Sequence, residues 1–510
     1  MSLVSAGAYE GRMSIPAFIG LRQDGDQTGL DPRYATRMEN ADTTGGVLAP
    51  CAIAQTLDGG DLGEPIETLM ALYRRRRPEA PAVLVAASGG GIYAKIPGED
   101  WKEARMPEGV GRFIVNEWSW ASYEINRGAD GEPLPEPADV LILSNAEDGM
   151  VLLREDGDGW ALDPIAAPGK FGMIERYAER IWGTGDPSAP DTLYYSRAYN
   201  PYDWTQVSTE EIAQSGTVAR EDGGGSIDQP SWDGDSFLAL KSFGAHLIAF
   251  KKSRAWRVMG VSPGEFTLKE QFGGGTRAPQ TISAQGDMIL MLGGQGVEVY
   301  DGNAISPFRQ GYCKTIWTRM NRARIEEACA CVYRGRYYLA IPVDGSDVNN
   351  TVVIFDTQEG SWTVRTDLSV ESWLVTGDAL YFTSAQTPNA VMAYCEPGSE
   401  SGAVPGYWIS GWQDFGKKMH IGPFELVMTC EARADMWMTI HVNTDKRKRQ
   451  KRVRIRATDE WDENTGGKAR EVRVPIQNWG KRFRLELHWD GASAFRMTGG
   501  VQLLCDVQRE

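Results

Sequence analysis

The sequence is poor in the residues and patterns that most enzymes and membrane proteins are built on. Among 510 residues there are four His, at 246, 420, 441 and 488, and no HExxH, GxxxxGK[ST] or GxGxxG motif. A histidine-based triad or metal site would need long-range convergence that no spacing suggests. Phe272-Gly273-Gly274-Gly275-Thr276 lacks the Lys that would hold a phosphate, so it reads as a flexible loop. No cofactor is expected. The seven Cys, at 51, 313, 329, 331, 395, 430 and 505, form no CxxC pair and read as reduced, mostly buried thiols. No apolar run reaches the roughly 18 residues that cross a bilayer, and Met1 to Met13 has no basic segment ahead of an apolar one. A chain made in the cytoplasm, with no membrane insertion, is expected.

Helical periodicity is nearly absent too. It is confined to Pro65 to Arg77, where Arg74 to Arg77 would complement the helix dipole, and to Asn321 to Cys329. Short runs rich in Val, Ile, Leu and Tyr dominate, each bounded by Gly, Asp, Asn or Pro: Ala82 to Ala87, His246 to Phe250, Tyr337 to Ile341 and Val352 to Asp356 are examples. Several pair across tight turns. Met288 to Leu292 meets Val297 to Tyr300 through a Gly-rich turn, and Trp373 to Thr376 meets Ala379 to Thr383 through Gly377-Asp378, whose residues accept the positive φ of a two-residue hairpin.

What is abundant is Trp, 17 of them. Turns carrying acid, Gly and Trp recur as Gly98-Glu99-Asp100-Trp101, Asp156-Gly157-Asp158-Gly159-Trp160, Asn200-Pro201-Tyr202-Asp203-Trp204 and Gln358-Glu359-Gly360-Ser361-Trp362. Their spacings of 59, 44 and 158 leave room for three units in the last gap. A unit of about 40 to 60 residues is the range of a four-stranded propeller blade. A flat side chain leaving each turn would cover the seam between adjacent sheets, or else offer a platform for a sugar.

The linker-like stretch Glu396 to Gly406 separates this body from a different module. Six to eight strands in about 100 residues are a sandwich-like count. Phe483, Leu485, Leu487 and Trp489 alternate toward one face. The fold expected is therefore all-β: a β-propeller of about six to eight blades over 61–400, preceded by an N-terminal arm and lead-in strands over 1–60 and followed by a β-sandwich over 407–510.

Charge divides along the same line. The formal net charge is −16; from Tyr407 onward 19 Lys plus Arg stand against 14 Asp plus Glu, a balance of +5, which leaves −21 for residues 1–406. So acidic a body is a poor general binder of nucleic acid. Acidic pairs such as Glu99-Asp100 and Glu221-Asp222 have the chemistry a glycosidase needs, but this acid excess supplies such pairs by chance. The candidate interaction loop is Lys446, Arg447, Lys448, Arg449, Lys451 and Arg452, whose first part should form a hairpin tip facing a neighbouring subunit or DNA phosphates. No aromatic residue interleaves with it, which argues against stacking on single strands.

Phe18-Ile19-Gly20-Leu21, Leu30 to Ala35, and Arg37 to Pro50 with its Asn40-Ala41-Asp42 resemble the opening of bacteriophage virion proteins with a propeller body. Tyr177 to Gly183, Leu193 to Arg197 and Asn200 to Trp204 are similar to a recurring blade of those proteins, as are Leu247 to Val258 with Gly293 to Gly302. The resemblance covers most of 1–400. It implies a non-enzymatic tail nozzle, hub or adaptor in the virion, several copies forming a ring around the DNA channel, with other copies and neighbouring tail or connector proteins as partners. It carries no catalytic residues. A receptor- or glycan-binding tail-tip protein and a carbohydrate-active propeller enzyme are the alternatives.

Overall fold

A computed structural model describes residues 9–26, 28–206, 223–231, 234–416, 419–459, 461 and 468–509. Short apolar strands joined by tight turns cannot bury two faces alone, so they pair into hairpins and the hairpins into sheets. Seven four-stranded antiparallel sheets follow one another, over 66–103, 119–165, 173–228, 239–271, 283–307, 329–365 and 370–393. They are blades 1 to 7. The first strands of successive blades touch in order, and Val370–Thr376 of blade 7 touches Ile66–Leu72 of blade 1, so the ring is closed.

Blade 7 is completed from the other end of the chain. Its fourth strand is Gln55–Asp61, antiparallel to Thr387–Ala393, with Thr56 opposite Met392. The segment ahead of blade 1 therefore supplies a blade strand. It also builds the C-terminal module: Tyr9–Ile15 pairs with Phe495–Arg509 in a four-stranded sheet, and Gly20–Leu21 and Tyr34–Glu39 join Gly406–Ser410, Phe483–Trp489, Met436–Thr444 and Gln450–Ile455 in a six-stranded one. The two sheets enclose a common core, in which Leu426, Val474 and Leu503 meet Met438, Ile440, Leu485 and Leu487.

Each seam between blades is an apolar cluster. Trp160 fills the seam of blades 1 and 2, Trp204 that of blades 2 and 3, and Trp101 lies against that of blades 7 and 1. The indoles of Trp160, Trp204 and Trp362 are buried packing elements, not sugar platforms. The seam of blades 5 and 6 is continuous with the sandwich core, where Trp317 and Trp362 meet Phe18 and Trp408.

Three local expectations are corrected. Pro65 to Arg77 is no helix, since Ile66–Leu72 is the innermost strand of blade 1. Ile66, Leu69, Met70 and Tyr73 fall at helical spacing, but Met70 faces the seam with blade 2 while Ile66 and Leu69 face that with blade 7. A strand buried on both faces loses its alternation and imitates a helix. Arg74 and Arg77 therefore cap no helix; both bond Glu155 of blade 2, at 2.7 and 3.1 Å. In the second expected helix only Arg322–Glu327 coils, as 3-10 turns. Nor is the glycine run a flexible loop. Gly273 (φ +112°) lies against the Ile305 backbone and Gly275 against that of Lys251, where a Cβ would stand 1.9 Å from the carbonyl oxygen. Backbones meet there because no side chain intervenes.

The motif Asn40-Ala41-Asp42 staples the two units together. Asn40, buried and left-handed (φ +54°), donates through Nδ2 to the Pro405 carbonyl at 2.9 Å and accepts from the Thr366 N–H at 2.8 Å. Its own N–H donates to the Val364 carbonyl at 2.8 Å. Asp42 pairs with Arg336 of blade 6 at 3.1 Å. Asn tolerates left-handed backbone better than most residues. Replacing Asn40 with Ala should cost about 1–3 kcal/mol, by stranding buried partners and straining the backbone. Trp408, fully buried and edge-on to Phe18 at 5.1 Å, should cost about 3–5 kcal/mol on truncation to Ala. Urea unfolding read by circular dichroism should show both losses in one transition.

Candidate functional site: the axial channel and the basic tip

The innermost strands surround the ring axis and run in the same sense, so residues at their starts share one end of the channel. Four consecutive blades place a carboxylate there: Glu327 ahead of blade 6, Glu371 in blade 7, Glu67 in blade 1 and Glu117 ahead of blade 2. The adjoining cavity, 620 Å³, is lined by Tyr73, Glu117, Ser119, Glu175, Lys241 and Gln280 among others. Lys241 meets Glu175 at 3.6 Å, and the Asn116 amide donates to Glu67 at 3.2 Å.

The four carboxylates touch solvent, yet they are confined between blades. Confinement, then repulsion from Glu327 and Glu67, pushes Glu117 above the usual carboxylate range. Glu371 is raised by the same causes, with Glu67 ahead of Glu327. No group of three or more His, Cys, Asp or Glu among the described residues is arranged as metal ligands, and no helix among them is long and apolar enough to cross a membrane. The acidic pairs of the sequence lie elsewhere. Glu99 and Asp100 are exposed turn residues, Glu99 paired with Lys102 at 3.1 Å, while Glu221 and Asp222 fall outside the described residues. Cys313, Cys329 and Cys430 are buried free thiols, whose pKa values burial raises.

The candidate loop divides in two. Lys446, Arg447, Lys448 and Arg449 form the tip of the hairpin between Met436–Thr444 and Gln450–Ile455. Among the described residues no hydrogen bond or ion pair engages their side chains. Lys451 and Arg452 lie on the second strand. Lys451 donates to the Pro475 carbonyl at 3.3 Å, and Arg452 covers the Trp437 ring at 4.7 Å, with Asp490 3.9 Å away.

A second loop, 477–482, underlies the tip. Asn478, fully buried, donates through Nδ2 to the carbonyls of Val442 and Arg447 at 2.7 and 3.1 Å. The Thr444 hydroxyl lies 3.0 Å from the Trp479 carbonyl, and one Asp445 oxygen accepts the backbone N–H groups of Lys481 and Arg482 at 2.7 and 3.2 Å. Burial would raise Asp445, but those two bonds, together with its own backbone N–H and the charge of Lys446, hold its carboxyl below the usual range. Trp479, on this underlying loop, is 46% exposed. No aromatic residue interleaves with the basic run in the sequence; Trp479 lies on a separate loop downstream, and its only local sign is the Asn478-Trp479-Gly480 turn.

Two histidines converge as well, against expectation. Strand pairing sets Thr439 opposite His488 and His441 opposite Glu486, so the two imidazoles meet at 4.8 Å on the outer face of the six-stranded sheet. Burial works against ionisation of Glu486, but hydrogen bonds from His488, Arg484 and Asn443 bring its pKa down to about 2. It is a fixed counter-ion.

No family model and no curated protein matches the chain. Solved structures similar to it are propellers. YCF48 bound to a D1 peptide is 9% identical, over 53% of this chain and 80% of that one, with a TM-score of 0.31. The Pan2 WD40 domain of Neurospora crassa is 10% identical over 65% and 90%, TM-score 0.37, and BamB from Moraxella catarrhalis 9% over 68% and 97%, TM-score 0.35. The likeness reaches no further than the fold.

A carboxyl with a raised folded-state pKa holds more protons in the folded chain, so its ionisation weakens the fold as pH rises. Glu117→Gln and Glu371→Gln should each raise Tm by about 1 °C at pH 8. The gain should shrink as pH falls through the ordinary carboxylate range and vanish near pH 3, where the carboxyl is protonated whether folded or not. Differential scanning fluorimetry against pH reads this directly.

Proposed function

We propose that this protein is a non-enzymatic structural component of a bacteriophage tail, a nozzle, hub or adaptor present as several copies in a ring around the DNA channel. The observation that carries the reading is the place of the resembling segment in the fold. Phe18, Leu21, Asn40 and Asp42, which belong to the virion-protein-like opening, are the residues that join propeller to sandwich. The joined units share one continuous core. A ring requires a heterologous contact between two different patches, which a body of two unlike units provides. In this reading the protein is made in the host cytoplasm and ends in the virion, its neighbours being further copies and adjacent tail or connector proteins. The acidic bodies facing the lumen would repel phosphate and let the genome pass.

Single-particle electron microscopy of the purified protein, alone and mixed with tail or connector preparations, tests this. Closed rings with an axial opening are expected, alone or templated on tails. Particles that stay monomeric and never decorate a tail would overturn it.

A further inference from the structure

Among the described residues no hydrogen bond or ion pair engages the side chains of the basic tip, and Trp479 is exposed on the loop bonded to it. Lys446, Arg447, Lys448 and Arg449 are exposed, and Arg482 lies on the adjoining loop. The one carboxylate within the two loops, Asp445, is exposed but bonded to two backbone N–H groups, and the charge of Lys446 acts on it as well. Long cationic side chains ordinarily quench one another's repulsion with acidic neighbours; here the fold spends its acid on shaping the loop. Asn478 and Thr444 tie the two loops together through buried hydrogen bonds, so the cations project from an ordered base. Trp479 needs no exposure to make those bonds, since only its backbone takes part.

We propose that this tip binds single-stranded nucleic acid, with Lys446, Arg447, Lys448, Arg449 and Arg482 on the phosphates and a base stacked on Trp479. Cations that track phosphates beside an aromatic face that accepts any base are the two parts of a sequence-tolerant single-strand site. An acidic protein partner fits less well. Stable protein interfaces engage about 20–30 residues a side, and two short loops projecting from a sheet offer far fewer. A strand of nucleic acid needs only a few nucleotides' length of contact. The inference goes beyond the structural role proposed above and does not rest on ring formation.

Fluorescence polarisation of the full chain with a labelled thymidine oligomer of about 20 nucleotides tests it. Binding is expected at about 50 mM salt, weakening at least 10-fold by about 200 mM. Trp479→Ala should weaken it about 10-fold, Trp479→Phe should restore most of the loss, and Lys446→Glu with Lys448→Glu should weaken it about 30-fold or more. Quenching of intrinsic fluorescence by the oligomer should shrink in the Trp479 variants. Circular dichroism controls for folding, and the Phe variant keeps the test decisive if the Ala variant is unstable. No binding at low salt would overturn the proposal, as would binding indifferent to both sets of variants, or equal affinity for duplex with no effect of Trp479→Ala. Self-association abolished by the charge reversals, in a protein that binds no oligomer, would assign the tip to a second copy instead.

Discussion

Seven blades close into a ring through a strand that is a poor strand by itself. Gln55–Asp61 reads Gln-Thr-Leu-Asp-Gly-Gly-Asp, with two glycines and little apolar surface, yet it supplies the outermost ladder of blade 7. Its hold is extended by the Leu62 N–H on the Asn389 carbonyl at 2.9 Å and by the Asn389 amide on the Gly63 carbonyl at 3.2 Å. The last blade is made from both ends of the propeller segment, so no blade can leave without opening the ring. The chain upstream of the closing strand does not end there; it runs into both sheets of the sandwich. One pairing therefore holds the propeller shut and ties its closure to the second unit.

The sandwich is thus no appended module. Its core runs without a break into the seam of blades 5 and 6, through Phe18, Trp317, Trp362 and Trp408. Arg365, 1% exposed, donates to the Ala52 carbonyl at 2.8 Å, adding a buried charge-assisted bond between blade 6 and the segment that leads to the closing strand. Such a junction couples the two units through packing and hydrogen bonds. The basic tip and the channel carboxylates thus belong to units that share one core.

The parts legible in the sequence are those whose physics is local. The hairpins at Gly293 to Gly296 and at Gly377-Asp378 fall where turn chemistry and flanking apolar runs agree. The alternating Phe483, Leu485, Leu487 and Trp489 are all buried, and the Trp turns lie at blade seams. What stays hidden depends on pairing across long separations. Gln55–Asp61 has no alternation to betray it, because its partner, Thr387–Ala393, lies at the far end of the propeller segment and its outer face meets water. Ile66–Leu72 is obscured for the opposite reason, being buried on both faces. The run from Lys446 is visible as charge, but its unpaired state and the exposed Trp479 on the adjoining loop follow from the loop of Asn478 folding under it.

If Gln55–Asp61 is an integral strand of blade 7 and its pairing closes the ring, hydrogen–deuterium exchange of the intact chain, followed by mass spectrometry, reads this strand by strand. The expected result is protection of 55–61 in step with Thr387–Ala393 and Val370–Thr376, all three lost together as denaturant is raised. Exchange of 55–61 at the rate of an unpaired segment, while the rest of blade 7 stays protected, would show that the ring closes without it.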